Sequence, residues 1–403
     1  MSMVSQNNAE DGSWFLATFS SLVPRPTDWS EMSMQLHSLS LLNFRNYEEQ
    51  SLTFSPEVNV FCGENGQGKT NALEAMLLLA VGKSHRTNKD RDMVRWAANT
   101  ATITGDIECR TGSRSLRLEL GGNGRKAYIN RLQLGKMTDF IGHFQVVLFA
   151  PEDLQLVKAG PRERRRFLDV ELGQTQPLYL HHLTHYNRTL VQRNKLLKDG
   201  ASDPTLYMSF DAQLAHHGAH ILHRRLRFLE ELQRYAKQIY EEISDGREEF
   251  TFRYASSVGE VQEGLSIDEI AIRVEQALAS KHSTDMRMGY TSVGPHRDDL
   301  RLYLNGQDVQ SFASQGQQRT IALALRLAEI DFMYQELGEY PVLLLDDVLS
   351  ELDDRRQRNL VLSMSRKVQT MITTTSLYHL ERELADGARL FRVASGIISC
   401  DNV

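Results

Sequence analysis

Gly63-Glu64-Asn65-Gly66-Gln67-Gly68-Lys69-Thr70 decides how this chain is read. It follows Val58-Asn59-Val60-Phe61-Cys62, which reads as a buried strand, and precedes Asn71-Ala72-Leu73-Glu74-Ala75-Met76-Leu77-Leu78-Leu79, which reads as a helix. A G-x-x-x-x-G-K-[ST] run between strand and helix is a phosphate cradle. Gly63, Gly66 and Gly68 let backbone N–H groups converge on an anion that a side chain would shield. The N-terminus of the following helix adds orphan donors and the positive end of its dipole. Lys69 is placed to reach the β- and γ-phosphates, and Thr70 to offer its hydroxyl to Mg²⁺. The stretch predicts a nucleoside triphosphate site.

A chain of 403 residues is too long for one compact core, so two domains are expected. Its 41% hydrophobic and 24% charged content is ordinary for a globular protein. The net charge of −6 means that any nucleic-acid contact must come from a local basic patch. Cys62, Cys109 and Cys400 show no C-x-x-C pairing, which fits a reducing cytosol and argues against a disulfide scaffold or a zinc site. The apolar run at residues 14–23 is interrupted by Ser and Thr and preceded by Glu10 and Asp11, unlike a signal peptide. No run reaches the ~18 apolar residues of a membrane span, so a soluble cytoplasmic protein with no membrane association is expected.

Outward from the loop, residues 1–31 lack periodicity and contain Pro24 and Pro26. They read as a disordered or non-native extension, with Met32 or Met34 as alternative starts. Leu36, Leu39, Leu41 and Leu42 and then Leu52-Thr53-Phe54 predict two strands, an antiparallel edge sheet joined to the nucleotide sheet. Between them, Arg45 is either a solvated charge or a residue over the nucleotide. Residues 101–134 alternate apolar and polar around Gly121-Gly122-Asn123-Gly124, a hairpin pattern. Residues 145–149 form a short strand ending at Pro151, where a helix begins. From Arg162 to about Ser280 helical spacing dominates: Leu180 to Leu197 and Leu222 to Ile243 step by three and four on either side of Gly200-Ala201-Ser202-Asp203-Pro204. These predict an antiparallel arm of two helices, about 20 to 25 residues each, followed by a shorter helix at 267–278; the alternative is that the helices are buried in one continuous domain. The expected division is an ATPase part at 32–160, a helical arm at 161–288 and a second ATPase part at 289–403.

The second half of the site lies about 280 residues downstream. Val342-Leu343-Leu344-Leu345-Asp346-Asp347 is an apolar strand running into two carboxylates. The first suits Mg²⁺ and the second can polarise an attacking water. Before it, Ala313-Ser314-Gln315-Gly316-Gln317-Gln318-Arg319 opens a long helix with a second anion-binding end. One phosphate loop and a second such end are used most economically when another copy of the chain completes the site.

The order of phosphate loop, long insertion, S-x-G-Q element, carboxylate strand and Ser350-Glu351-Leu352-Asp353 resembles ABC-type ATPase heads. Within that group, five segments together resemble the bacterial RecF recombination-repair family: Asn43-Phe44-Arg45-Asn46-Tyr47, the phosphate loop, the Pro161 segment PRERRRFLD, the Gly294 segment GPHRDD and the Ser314 segment SQGQQR. The resemblance spans the chain from about Met34 onward. It implies an α/β head with a mixed sheet, flanking helices and an inserted helical arm. It also implies ATP and Mg²⁺ held by Lys69, Thr70 and Asp346, Asp347 as catalytic carboxylate, and Ser314, Gly316 and Gln317 capping ATP across a homodimer. Partners implied are DNA at gaps or single-strand/duplex junctions, RecO and RecR, with RecA loading as the outcome. Asp347 stands where most ABC heads carry Glu, and Thr373-Thr374-Thr375 where they carry a switch His, so a weak, DNA-stimulated ATPase acting as a timed clamp is expected. Glu152 and Asp153 lie where a Q-loop is sought without a firm equivalent.

Over residues 156–200, Lys and Arg outnumber Asp and Glu nine to four. Lys158, Arg162, Arg164 and Arg165 are the candidate DNA contacts, with Arg224, Arg225 and Arg227 a second cluster. The alternative is that Arg165 or Arg166 pairs with Glu163 or Asp169 on a solvated helix. A chromosome-organising SMC head would need a far longer coiled coil, and a transport ATPase subunit a Q-loop and a switch His.

Overall fold

Strands that are apolar on both faces need cover on both sides, and the strand feeding the phosphate loop is one of these. The computed structural model describes residues 33–122, 124–200, 203–262, 264–348, 367–376 and 388–400. The expected extension at residues 1–31 and the Ser350 to Asp353 element lie outside these residues.

The chain opens with strands β1 (Gln35–Phe44), β2 (Tyr47–Thr53) and β3 (Val58–Cys62), then helix α1 (Lys69–Val81). Strands β4 (Thr100–Cys109), β5 (Gly112–Gly121), β6 (Lys126–Ile129), β7 (Leu132–Gln133) and β8 (Val146–Phe149) follow. The helical middle comprises α2 (Leu154–Lys158), α3 (Pro161–Thr175), α4 (Pro177–Asp199) and α5 (Pro204–Ile243), then β9 (Phe250–Ala255) and α6 (Ile267–Met288). Strands β10 (Asp299–Leu304) and β11 (Gln307–Asp308) lead to α7 (Val309–Phe312) and α8 (Gln315–Leu337). The last described strands are β12 (Val342–Asp346), β13 (Thr370–Thr374), β14 (Arg389–Ala394) and β15 (Ile397–Cys400).

The central sheet runs β15-β14-β3-β13-β12-β8, parallel throughout except for the antiparallel edge strand β15. Both ends of the sequence therefore build it, with β3 seated beside β13 and β14. Alternate residues serve its two faces: Val342 and Leu344 join one core, and Leu343 and Leu345 the other. The hairpin-rich first part forms a separate antiparallel sheet, β2-β1-β4-β5-β6-β7. Helix α1 lies between the two sheets and shares one core with both, which explains why its apolar residues show no single face.

The helical insertion differs from expectation in three ways. Helix α5 has 40 residues, about 60 Å of rise, not 20 to 25. Its buried face up to residue 219 is carried by Tyr207, Leu214, Ala215, Gly218 and Ala219, with Leu214 the one large aliphatic among them. Strand β9 interrupts the helical region and pairs with β10, so a small sheet crosses the division at 288. One core also runs from Val58, Val60, Leu343 and Leu345 of the central sheet through α8 to α3, α4, α5 and α6. The long helix is folded onto the head, not extended as a free coiled coil. Among the described residues, no helix is long and apolar enough to cross a membrane.

Candidate nucleotide site

The phosphate loop is held by backbone packing that only glycine permits at two points. A Cβ on Gly63 would overlap the Val393 carbonyl of β14. Gly68 has φ +125°, and a Cβ there would meet Asn46 Nδ2 at 2.7 Å and Tyr47 Oη at 2.9 Å. Those two side chains clamp the loop from outside: Asn46 Nδ2 donates to Gln67 O at 2.8 Å, and Tyr47 Oη to Gly68 O at 2.8 Å. Ser395 N donates to Gln67 Oε1 at 2.6 Å. Asn46, Tyr47 and Ser395 are thus loop supports that spacing alone left unassigned.

Lys69 Nζ lies against the loop itself, donating to Gly63 O at 2.5 Å and Glu64 O at 3.0 Å. Burial pushes its pKa down, against the opposing pull of Asp347, Cys62 and Asp346. Glu64, Asn65 and Gly66 form the exposed rim. Thr70 Oγ1 donates to Asp346 Oδ1 at 2.9 Å across 276 residues of sequence. The two expected metal ligands are therefore one hydrogen bond apart at the ends of neighbouring elements. Burial raises the Asp346 pKa, and the hydrogen bonds from Thr373 and Thr70 oppose that rise. Two hard oxygen donors beside a phosphate cradle fit Mg²⁺.

Thr373, between the two motif strands on β13, entered the sequence reading only as part of the Thr run at the switch position, not as a partner of the two carboxylate residues. Its Oγ1 donates to Asp346 Oδ1 at 2.8 Å and accepts from Asp347 N at 2.9 Å. Asp347 itself has φ +53°, a left-handed conformation that aims the chain away from the strand direction. His85 is a second residue missed. Both its ring nitrogens are buried without a hydrogen-bond partner, and burial lowers its pKa against the nearby Glu152, Glu74 and Asp346. Asp153, by contrast, is committed to Ala150 N and to Arg326.

Arg45 is paired, and so is not the free solvated charge of the first alternative. Its Nε and Nη2 bond Glu74 at 2.8 and 2.5 Å, and Nη1 donates to Asp92 O, which ties it to the side of α1. Burial pushes Glu74 up, but the hydrogen bonds from Arg45 and Ser84 and the charges of Arg45 and Arg86 outweigh it and hold the carboxyl low.

Ser314 caps α8 in a reciprocal box: Gln317 N donates to Ser314 Oγ at 3.2 Å and Ser314 N to Gln317 Oε1 at 2.7 Å. The Gln317 amide also donates to Glu248 Oε1, so its side chain is spent within the chain. Ser314, Gln315 and Gly316 are exposed, and the bonds of Ser314 and Gln317 do not reach residues 63–70.

The basic patch needs correction. Arg164 is buried, with Nε and Nη2 on Asp299 at 2.7 and 3.0 Å, and cannot face DNA. Arg165 donates to Asp298 O at 2.6 Å and is half-buried. Arg225 is buried against Asp169, Tyr179, Tyr254 and Pro295 O. Lys158, Arg162 and Arg227 remain exposed, and Arg166 reaches Glu163 only at 3.9 Å. The segment Gly294-Pro295-His296-Arg297-Asp298-Asp299 is what receives the buried arginines. It knots α3, α4 and α5 together, with His296 Nδ1 on Tyr186 Oη at 2.8 Å and Asp298 Oδ2 accepting from Tyr254.

A phosphate loop and a carboxylate strand joined through Thr70 and Asp346 on a largely parallel sheet, with a capped exposed helix end beyond them, define an ABC-type P-loop ATPase head. Residues 35–398 match the model of the RecF/RecN/SMC N-terminal domain. The chain is 46% identical over 370 residues to the DNA replication and repair protein RecF of Bacillus cytotoxicus, covering 91% of this chain and 99% of that protein. It is 46% identical over 372 residues to RecF of Bacillus cereus, covering 91% and 99%. The chain belongs to the RecF family. The structure of the recombination mediator protein RecF-ATPrS in the RecFOR pathway superposes with a TM-score of 0.86 at 34% identity, covering 93% of this chain and all of that one. The corresponding RecF-ATP structure matches at 0.86 and 35% identity, covering 92% and 98%. An Smc head from Pyrococcus furiosus shares the fold, with a TM-score of 0.52 at 16% identity over 91% of this chain and 96% of that one.

Proposed function

We propose that this chain is an ATP-dependent DNA-binding protein of replication and recombinational repair. ATP held by the phosphate loop of one copy is capped by the Ser314 helix end of a second, closing a homodimer on duplex DNA at gaps or single-strand/duplex junctions. Weak, DNA-stimulated hydrolysis reopens it, and RecR and RecO direct the clamp toward RecA loading. The observation that carries this reading is the exposed, capped N-terminus of α8, whose orphan N–H groups have no anion partner within their own chain's phosphate loop. The naming of the relatives as replication and repair proteins, and of solved ones with ATP, supports it.

In this reading Lys69 leaves the Gly63 and Glu64 carbonyls for the terminal phosphates. Thr70 and Asp346 would hold Mg²⁺, which neutralises phosphate charge when bound. Asp347 would accept a proton from the attacking water, with its backbone fixed by Thr373. Sedimentation with a non-hydrolysable ATP analogue and a gapped duplex tests the proposal. Wild type should dimerise with the analogue, and Lys69→Met should not, because a cation 4 Å from a phosphate charge contributes about 4 kcal/mol at an effective dielectric of ~20. A wild type that stays monomeric with analogue and DNA would sink the clamp.

A further inference from the structure

Seven of the 13 histidines fall on the facing turns of two helices: His181, His182 and His185 on α4, and His216, His217, His220 and His223 on α5. The spacing H-H-x-x-H recurs on both, so each helix offers rings one turn apart. Packing the helices antiparallel brings the two sets into one cluster. His182 Nδ1 lies 3.0 Å from His217 Nδ1, the His182 and His220 rings stack with centroids 3.9 Å apart, and His185 stacks on His217 at 5.1 Å. One ring nitrogen from each of His182, His216 and His217 lies within 4.8 Å of the others. Among the described residues this is the one place where three such donors converge.

We infer that this cluster is a binding site for a divalent transition ion of the zinc class, held by His182, His216 and His217 and pinning α4 to α5. Imidazole suits borderline-soft ions, whereas the carboxylate and hydroxyl of the nucleotide site suit a hard one, so the two sites select different metals. A tetrahedral ion with bonds of about 2.0–2.1 Å needs ligand nitrogens about 3.4 Å apart, which small side-chain rotations reach from the present spacing. His182 and His217 are half-buried and His216 is exposed, leaving an entry path and a fourth position for water. The scarcity of cysteine argued against a zinc site, but that reasoning reaches only thiolates. The site is independent of the nucleotide reading.

The untagged full chain, stripped with a chelator, is titrated with Co²⁺ and read by visible absorption. A tetrahedral d–d spectrum saturating near one ion per chain, displaced by Zn²⁺ and not by Mg²⁺, is expected. In His182→Gln/His217→Gln affinity should fall at least about tenfold, the scale that even outer-shell partners of metal sites carry. Exposed His216→Gln gives a second arm that leaves core packing intact and should weaken binding likewise. Absence of the spectrum in wild type, or equal affinity in His216→Gln, would overturn the assignment.

Discussion

Thr373 is the hinge pin of the nucleotide site at the scale of single side chains, since one hydroxyl serves both motif carboxylate residues. Replacing it by Val keeps the shape, removes a donor from Asp346 and strips the Asp347 N–H of that acceptor. The expected cost is about 1–3 kcal/mol in urea unfolding, with slower ATP turnover. The phosphate-loop residues were legible because their chemistry is fixed by spacing along one strand–loop–helix. Thr373 was not, because its role depends on β13 lying between β3 and β12, and no local spacing encodes strand order. Arg164 was misread although a signal existed: Arg164, Phe167, Leu168 and Glu171 step by three and four along the buried face of α3. Arg164→Ala should therefore destabilise by about 3–5 kcal/mol through the unpaired Asp299, while exposed Arg162→Ala stays within about 0.5 kcal/mol. Thermal and chemical unfolding of the two variants checks this.

Among the elements, the knot at 294–299 couples the head to its helices and carries a pH dependence. Burial, helped by Arg297 and Arg165 and opposed by the bond to the Thr291 carbonyl, depresses the His296 pKa to about 4. A histidine with a depressed folded value contributes stability that is fully present above its unfolded pKa of about 6.5 and lost as pH falls toward about 4. The amount is on the order of 3 kcal/mol. The melting temperature of His296→Gln should fall less steeply than that of wild type between those pH values. The elements themselves were readable where aliphatic periodicity was strong, as in the second half of α5. They were missed where small residues made the stripe, at Ala215, Gly218 and Ala219, and where Phe250, Phe252 and Tyr254 gave only one short alternation.

For the molecule as a whole, the net charge of −6 confines the proposed DNA contact to a restricted surface, for which Lys158, Arg162 and Arg227 are the exposed candidates. Backbone contact predicts that log affinity falls with log salt at a slope of about −0.9 per phosphate contacted, several units in all, by fluorescence anisotropy on a duplex. A slope near zero would exclude phosphate contact. The α/β head was legible because its phosphate loop and its carboxylate strand are each local motifs. Spacing left open whether the insertion is a separate arm or shares a core with the head, since that depends on how α5 lies against α8.

The pairing of Thr70 with Asp346 spans 276 residues, and β3 finds its sheet neighbours only in β13 and β14. During synthesis at about 5–20 residues per second, the emerging loop waits roughly 14–55 s for its carboxylate partner to leave the ribosome. Throughout that interval the apolar strand β3 lacks both of its sheet neighbours, and α1 lacks its cover from β12 and β13. A nascent chain stalled before β12 should thus be a client for chaperones and a poor binder of ATP, however complete its glycine loop.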